Sequence, residues 1–479
     1  MSTIELTSII NPGKKYTIDL VVRGSGTKKS VFFSPDKSYV VAIYKKDPDR
    51  VSMDRLKDLV QKYYNDLFNM EGGEVWKEHF CWPYDIVKSP KGKYGIVMPL
   101  YPADFFFQEG NMKGIEKKGN WFTKPLVRGT IHPLERGNWR NMLFCAYNLA
   151  RTIRRLHAAG LCHSDLSFNN VLINPTKGKV QVIDVDELVV PGKYPAGVFG
   201  TAGFIAPEVI VDAATLPSQQ TDLHALACLI YQYLFCRHPL LGRKVHDEDP
   251  YKDDFLSYGE KALFIEDRND RSNKPKPEGY TPVDWSDVDR FPYTIAGPYL
   301  MPLFQKAFEE GLHNPAARPS AFQWENALWN TYERIVRCGN SRCSEKFFVL
   351  NKAKRCPFCG ATISQSIPVF DIFHRNTKNE WVFNNKQVYG SDNKSLHKWH
   401  FFDNIYYSEK IQRKDVSSVA CLQWYNGKWY FKNISLPNLT VHDTRGSKQL
   451  NPGEVVVIEE GMQFENGEAD GLQLKAKFI

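Results

Sequence analysis

The sequence predicts a multidomain chain: a large α+β region of two lobes, then a small metal-held ribbon, then an all-β sandwich. Three observations carry this expectation. Residues 16–46 alternate in the manner of strands, whereas helical spacing dominates from about residue 221. Four cysteines cluster between 338 and 359. Residues 368–479 hold short alternating segments separated by N-G, D-N, L-P-N and N-P-G turns. The expected domain boundaries are 1–335, 336–364 and 365–479.

Each element has its own signal. A G-S-G turn at Gly24–Gly26 should separate the first two strands of 16–46. Residues 53–69 are spaced as a helix through Leu56, Leu59, Val60, Tyr63 and Leu67. Short strands follow at 82–87 and 94–99, and M-P-L-Y-P then breaks the pattern. Residues 102–137 have no clear period and read as an insertion or large loop. An amphipathic helix is expected over 138–160, ending at Gly160. Beyond it come a strongly apolar helix at 222–236, a polar, loop-like insertion at 243–295 and helices over 300–335.

Composition bounds the rest. With 42% hydrophobic and 24% charged residues, the chain reads as soluble globular protein. A net charge of +8 spread along 479 residues reads as solvated surface before it reads as an acidic partner. No secretory leader or membrane span is expected. Cys81, Cys145, Cys162, Cys228, Cys236 and Cys421 stand alone in apolar or aromatic contexts, as buried thiols do, which fits a reducing, cytoplasmic compartment.

The chemistry lies in residues 163–170, H-S-D-L-S-F-N-N, and in the strand V-Q-V-I that ends at Asp184. One carboxylate to orient a hydroxyl, plus an amide and a second carboxylate to hold magnesium, is what phosphoryl transfer from ATP requires. G-T-A-G-F-I-A-P-E at 200–208, T-D-L-H-A-L-A from 221, H-P-L-L-G at 238–242 and N-P-A-A-R-P-S at 314–320 follow in order. Over roughly residues 16–335 this plan resembles the two-lobed protein kinase fold. The resemblance implies Asp165 as catalytic base, Asn170 and Asp184 as magnesium ligands, and ATP as cofactor, with magnesium or manganese. It also implies structural roles: His163 packs the catalytic loop, Glu208 pairs with Arg318, and Asp222 holds the loop backbone.

Four departures from that pattern are informative. The glycine loop G-S-G-T-K-K-S-V-F keeps Gly24, Ser25 and Gly26 but puts Lys29 at the third glycine's place. In V-V-A-I-Y-K-K, alternation turns Tyr44 inward and Lys45 to the other face unless a bulge intervenes. A lysine moved to the second strand resembles the with-no-lysine kinases, so Lys29 is favoured over Lys45 as the phosphate-binding lysine. Ser164 and Ser167 replace the usual arginine and lysine, and residues 187–199 contain no serine or threonine. Control by a partner or by the C-terminal domains is therefore expected, rather than by loop phosphorylation. Finally, D-V-D at 184–186 replaces D-F-G. Asp186 reads either as a further metal or water ligand or as a turn residue, and no helix carboxylate is identifiable as the lysine's partner.

The wider context, L-H-A-A-G-L-C-H-S-D-L-S with I-D-V-D-E-L-V-V-P-G and G-T-A-G-F-I-A-P-E-V, resembles bacterial kinases of tellurite-resistance-type phosphorylation triads. That resemblance implies a stress-response setting, a von Willebrand-type (TerY-like) partner and a metal-dependent (PPM-type) phosphatase antagonist.

Cys338, Cys343, Cys356 and Cys359 are spaced C-x4-C-x12-C-x2-C, which suits a closed structural zinc site; two disulfides are the alternative. The features of 368–479 resemble a forkhead-associated domain, which reads phosphothreonine. Ser417, Asn438 and Thr440 match its phosphopeptide set, but its arginine is missing, with Lys394 and Arg413 as weak substitutes. The function expected is an ATP-dependent serine/threonine protein kinase acting on a protein substrate and on itself. The alternative is a pseudokinase scaffold that binds nucleotide and docks partners. Nucleic-acid binding is disfavoured, because only Lys346, Lys352, Lys354 and Arg355 cluster at the ribbon.

Overall fold

The computed structural model of the chain describes residues 2–197, 199–277, 285–408, 411 and 413–479, the side chain of Arg413 excepted. Residues 278–284 of the expected 243–295 insertion thus lie outside the described residues. The chain divides into two compact units: Met1–Gly137, Asn141–Tyr293 and Pro302–Glu325 form one, and Asn138–Arg140, Thr294–Met301 and Asn326–Ile479 the other.

The first unit opens with strands β1 (Thr3–Ser8), β2 (Lys15–Asp19), β3 (Val22–Ser25), β4 (Lys29–Phe33), β5 (Val40–Tyr44), β6 (Asp85–Lys88) and β7 (Tyr94–Met98). They form one sheet in the order β2-β1-β6-β7-β5-β4-β3. The alternation predicted for this region sorts its two faces. Val41, Val87 and Val97 meet Leu6, Tyr16 and Ile18 on one side, while Ala42, Ile86 and Ile96 meet Leu56 and Val60 on the other. β1 extends the sheet beyond the strands expected over 16–46, pairing with β2 as a hairpin. The hairpin is anchored on buried Asp85, which accepts from Ser8 Oγ (2.7 Å), Tyr16 OH (2.8 Å) and Asn11 Nδ2 (2.9 Å).

Two expectations need correction here, and the helical reading of 53–69 holds with finer detail. Gly24 and Ser25 continue β3, and the turn falls after them, closed by the Gly26 N–H on the Lys29 carbonyl (3.0 Å). The 53–69 segment is helical in three pieces, Arg50–Asp58, a π turn Leu59–Tyr63, and Tyr64–Phe68. The 102–137 and 243–295 stretches are not wholly loop. Short helices run over Pro125–Thr130, Pro133–Arg136 and Pro250–Tyr258, each with proline in its first turn, where a missing N–H costs nothing.

The second half of this unit is helical. The amphipathic helix Trp139–Ala158 is followed by the hairpin β8 (Val171–Asn174) and β9 (Lys179–Val182). The helix Gln219–Phe235 is buried on every side from Thr221 to Phe235 and forms the lobe's axis. Buried Arg237 pairs with Glu266 at 2.5 Å, and the Tyr293 N–H donates to the other Glu266 oxygen at 2.9 Å, fixing the chain that follows.

The second unit holds a two-stranded ribbon, β10 (Ile335–Arg337) and β11 (Phe347–Val349), and a sandwich. Strands β12 (Pro368–Arg375), β13 (Trp381–Tyr389), β14 (Lys394–His397), β15 (Ser418–Tyr425) and β16 (Lys428–Asn433) lead into β17 (Leu439–Asp443) and β18 (Gly446–Gln449). The chain ends with β19 (Val455–Val457), β20 (Gln463–Asn466) and β21 (Gln473–Phe478). One sheet runs β13-β12-β21-β20-β17-β18 and the other β14-β15-β16-β19. Their inner faces meet through Phe370, Phe431 and Phe464, with the last two rings stacked at 4.3 Å.

Candidate active site

The catalytic-loop residues are set by a buried carboxylate. Asp222, in the first turn of the Gln219–Phe235 helix, accepts the backbone N–H of His163 (2.7 Å) and of Ser164 (3.1 Å). Ser164 is held at φ 60°, a left-handed conformation that costs energy outside glycine and turns the chain toward Asp165. His163 is buried and its Nε2 meets the Ile183 carbonyl at 3.0 Å, while the Ile183 N–H donates to the Asn170 carbonyl at 3.0 Å. These two links tie the residue just before Asp184 to both ends of the loop, so Asp165, Asn170 and Asp184 share one frame.

Within that frame Asn170 Nδ2 donates to Asp165 Oδ2 at 2.9 Å, and Thr201 Oγ1 donates to Oδ1 at 2.7 Å. Glu208 and Arg318 form a two-pronged pair at 2.8 and 2.7 Å, and Arg318 also donates to the Gly311 and Gln220 carbonyls.

Facing them, Lys29 at the start of β4 lies 2.9 Å from Asp184 Oδ1 and 2.6 Å from Asp186 Oδ1. Asp186 is 1% exposed and its other oxygen accepts the Tyr44 hydroxyl at 2.6 Å. Burial disfavours the Lys29 ammonium, yet Asp186 and Asp184 raise it above the ordinary lysine range. Burial likewise disfavours the Asp186 carboxylate, and Lys29 holds it below the ordinary range. Lys45 is exposed and donates to the Gly26 carbonyl at 2.5 Å, away from these acids. The neighbouring Lys28 meets Glu187 at 2.7 Å, so two successive lysines face D-V-D-E.

Asp186 is therefore engaged on both oxygens, which leaves neither reading made from sequence complete: it lies on a turn, and its carboxylate is a lysine partner. The pair joins residues 157 apart in the chain, and the only sequence signal was the match of K-K against a run of acids. Tyr44 was read as facing inward but not as a partner of Asp186, and the contacts of Thr201 and Arg55 were missed. Arg55 is buried on the Arg50–Asp58 helix and donates to the Glu187 and Pro195 carbonyls.

Next to this cluster is a cavity of about 670 Å³ whose lining includes Gly24, Val31, Val40, Met98, Tyr101 and Ile115. Its mostly apolar wall suits a flat aromatic base. The Asp184 side chain is 54% exposed, and with the Asn170 amide it makes an oxygen donor set of the kind that hard divalent cations take.

The second unit carries its own candidate centre. The Sγ atoms of Cys338, Cys343, Cys356 and Cys359 all lie within 4.8 Å of one another, with 338–359 at 3.5 Å and 343–356 at 3.9 Å. These spacings exceed a disulfide bond of about 2.05 Å and suit the edges of a thiolate tetrahedron around one ion.

In the sandwich, Ser417 precedes β15 and its hydroxyl donates to the Lys414 carbonyl at 2.9 Å. Asn438 precedes β17 and donates its amide to the Glu468 carboxylate; Thr440 lies within β17. Lys394 does not serve as a substitute phosphate reader, because it is paired with the Glu333 carboxylate at 3.1 Å and also donates to the Glu333 carbonyl at 2.9 Å.

Among the described residues no helix is long and apolar enough to cross a membrane. A family model described as "Protein kinase domain" matches residues 131–276. Among curated proteins, the chain is 32% identical over 147 residues to the serine/threonine-protein kinase PknA of Mycobacterium tuberculosis, covering 28% of this chain and 33% of that protein. It is 28% identical over 114 residues to the serine/threonine-protein kinase PKH3 of Eremothecium gossypii, covering 22% of this chain and 15% of that protein. The matches thus span a third or less of these relatives' length. The rhoptry antigen kinase domain of Toxoplasma gondii superposes with a TM-score of 0.41 at 15% identity, over 69% of this chain and 86% of that one. Residues 131–276 thus match the protein kinase domain, whose chemistry uses ATP and a divalent metal, and serine/threonine-protein kinases of bacteria are among the chain's relatives.

Proposed function

We propose that the chain is an ATP- and magnesium-dependent protein kinase that phosphorylates serine or threonine hydroxyls of a protein substrate, its own chain included. The observation that supports this most is the frame joining Asp165, Asn170 and Asp184 through Ile183. When bound, magnesium-ATP supplies an electrophilic phosphoryl group whose charge the metal neutralises. Asp165 would orient the acceptor hydroxyl and take its proton as the oxygen attacks the γ-phosphoryl group and ADP leaves, and Asn170 and Asp184 would hold the metal. Gly24, Ser25, Gly26 and Lys29 face the phosphates. The apolar cavity beside Val31 and Met98 takes the base and keeps water from it.

The finer setting rests on the resemblance to phosphorylation-triad kinases. It supports a cytoplasmic stress-response role with a von Willebrand-type partner and an opposing metal-dependent phosphatase. The four cysteines would hold zinc, which folds the ribbon without taking part in catalysis, because all four ligand positions are filled by protein. The antiparallel sandwich is in keeping with a forkhead-associated-like docking module, and the Glu468 carboxylate on Asn438 favours docking over phosphothreonine reading there.

Incubation with γ-labelled ATP, magnesium and a general protein substrate tests the proposal. Wild type should transfer label to serine or threonine, and Asp165→Ala should lower the rate by about a thousandfold or more. No transfer by wild type, with or without its partners, would put the pseudokinase scaffold in its place.

A further inference from the structure

The lysine that faces the nucleotide phosphates needs a carboxylate to fix it, and in protein kinases a helix glutamate pairing with a β-strand lysine does this. Here the helix offers none. Leu56 and Val60 fill the contact with Ala42 and Tyr44 on β5. The acids of the segment are engaged elsewhere: Asp54 with Arg50 and Lys57, Asp58 with Lys193 and Tyr194, Asp66 with Lys62. Glu74, beyond it, pairs with Lys77.

We infer that Asp186, the last residue of the D-V-D motif, is the positioning residue for Lys29, with Tyr44 holding the carboxylate's second oxygen. This rests on the nucleotide reading of the cleft given above. Three features support it. Asp186 and Lys29 are in direct contact at 2.6 Å, and Asp186 is 1% exposed, so solvent does not screen the pair. The Tyr44 hydroxyl at 2.6 Å takes Oδ2, leaving Oδ1 aimed at the ammonium. Asp184, 54% exposed, shares Lys29 but stays accessible to a cation, so the two acids of the motif divide the work. A glycine at 186, as in the usual motif, has no carboxylate to offer. The lysine and its partner have moved together, one to β4 and the other to the metal-binding segment. No carboxylate of the Arg50–Asp58 helix takes part: that helix and the π turn after it reach the pair through Leu56 and Val60 against Tyr44 and through Arg55 on the Glu187 carbonyl, and the lysine's position depends on how the β3–β4 hairpin sits over residues 184–187.

The test compares affinities for ATP with magnesium and for adenosine, by calorimetry, in the full chain. On the nucleotide reading Lys29 would meet the phosphates and not the adenosine, so wild type should favour ATP, and Lys29→Met should lower that preference about tenfold. Asp186→Asn should lose the same preference with adenosine affinity unchanged, and Lys29→Met should add nothing further in its background. Asp186→Glu, which keeps the charge, should retain part of the preference, and Asp54→Asn all of it. If Asp186→Asn loses adenosine binding as well, its cleft has collapsed and Tyr44→Phe carries the comparison, with a severalfold drop expected. An unchanged ATP preference in Asp186→Asn or Tyr44→Phe, or losses that multiply in the double variant, overturns the inference alone. A wild type that binds ATP no better than adenosine overturns the nucleotide reading and this inference together.

Discussion

Thr201 donates its hydroxyl to Asp165 Oδ1 at 2.7 Å, while the Asn170 amide sits on Oδ2 at 2.9 Å. The carboxylate that would orient a substrate hydroxyl is thus held in one rotamer by two donors, one of them from the 200–208 stretch. Thr201→Ala frees Oδ1 and should lower kcat about tenfold with a smaller change in KM for ATP, because the bond orients the carboxylate and not the nucleotide. Thr201→Glu sets a like charge against Asp165 and should be worse than alanine in steady-state kinetics.

Residues 187–195 are tied to the Arg50–Asp58 helix by protein contacts. Arg55 donates to the Glu187 and Pro195 carbonyls, and Asp58 accepts from Lys193 and Tyr194. Phosphatase treatment should therefore change activity less than about twofold, since Ser164 stands at the place of the usual phosphate-gripping arginine and Arg55 is already taken up by two backbone carbonyls. Asp58→Ala releases both segment contacts and should lower activity severalfold; activity that instead rises manyfold with a loop phosphate would contradict this.

The four-cysteine centre should carry one zinc per chain by elemental mass spectrometry. Cys356→Ser should lose most of it, and a strong chelator should open residues 338–363 to protease, because so small a ribbon is held by metal rather than by burial. Full metal-free protection of that segment would contradict the assignment.

Glu333 gives the second unit an acid sensitivity. Burial opposes its charge, yet Lys394 at 3.1 Å and His400 at 3.4 Å hold the carboxyl well below the usual glutamate range. A group whose folded pKa is depressed contributes stability above its unfolded pKa of about 4.3, and that stability is lost as pH falls below it. The urea midpoint should therefore drop more steeply below about pH 4 in wild type than in Glu333→Gln, followed by tryptophan fluorescence.

What was legible in the chain was whatever is local or ordered. The loop around Asp165 and Asn170, the strand ending at Asp184 and the Glu208 and Arg318 motifs are each read within a few residues, and their order carried the fold. The strand alternation at 40–44 also gave the direction of Lys45 correctly, since side-chain facing is a two-residue rule. The Lys29–Asp186 pair was not legible, because its partner was sought at helical spacing and stands in the D-V-D turn instead. The helix Pro250–Tyr258 was hidden by its polar face. Its start is set by Asp249, whose carboxylate accepts the Tyr251 N–H at 3.0 Å, a cap that composition alone does not separate from loop. Of the β1–β2 hairpin only β1 was overlooked, because the hairpin's docking depends on Asp85, more than sixty residues away from Tyr16 in sequence.

The central claim is that the phosphate-binding lysine has moved to the glycine loop, and phosphoryl transfer from labelled ATP by Lys29→Ala and Lys45→Ala tests it most directly. Lys29→Ala should fall about a hundredfold or more while Lys45→Ala, which loses only a surface bond to the Gly26 carbonyl, stays within a few-fold of wild type. An inactive Lys45→Ala beside an unaffected Lys29→Ala would contradict the account.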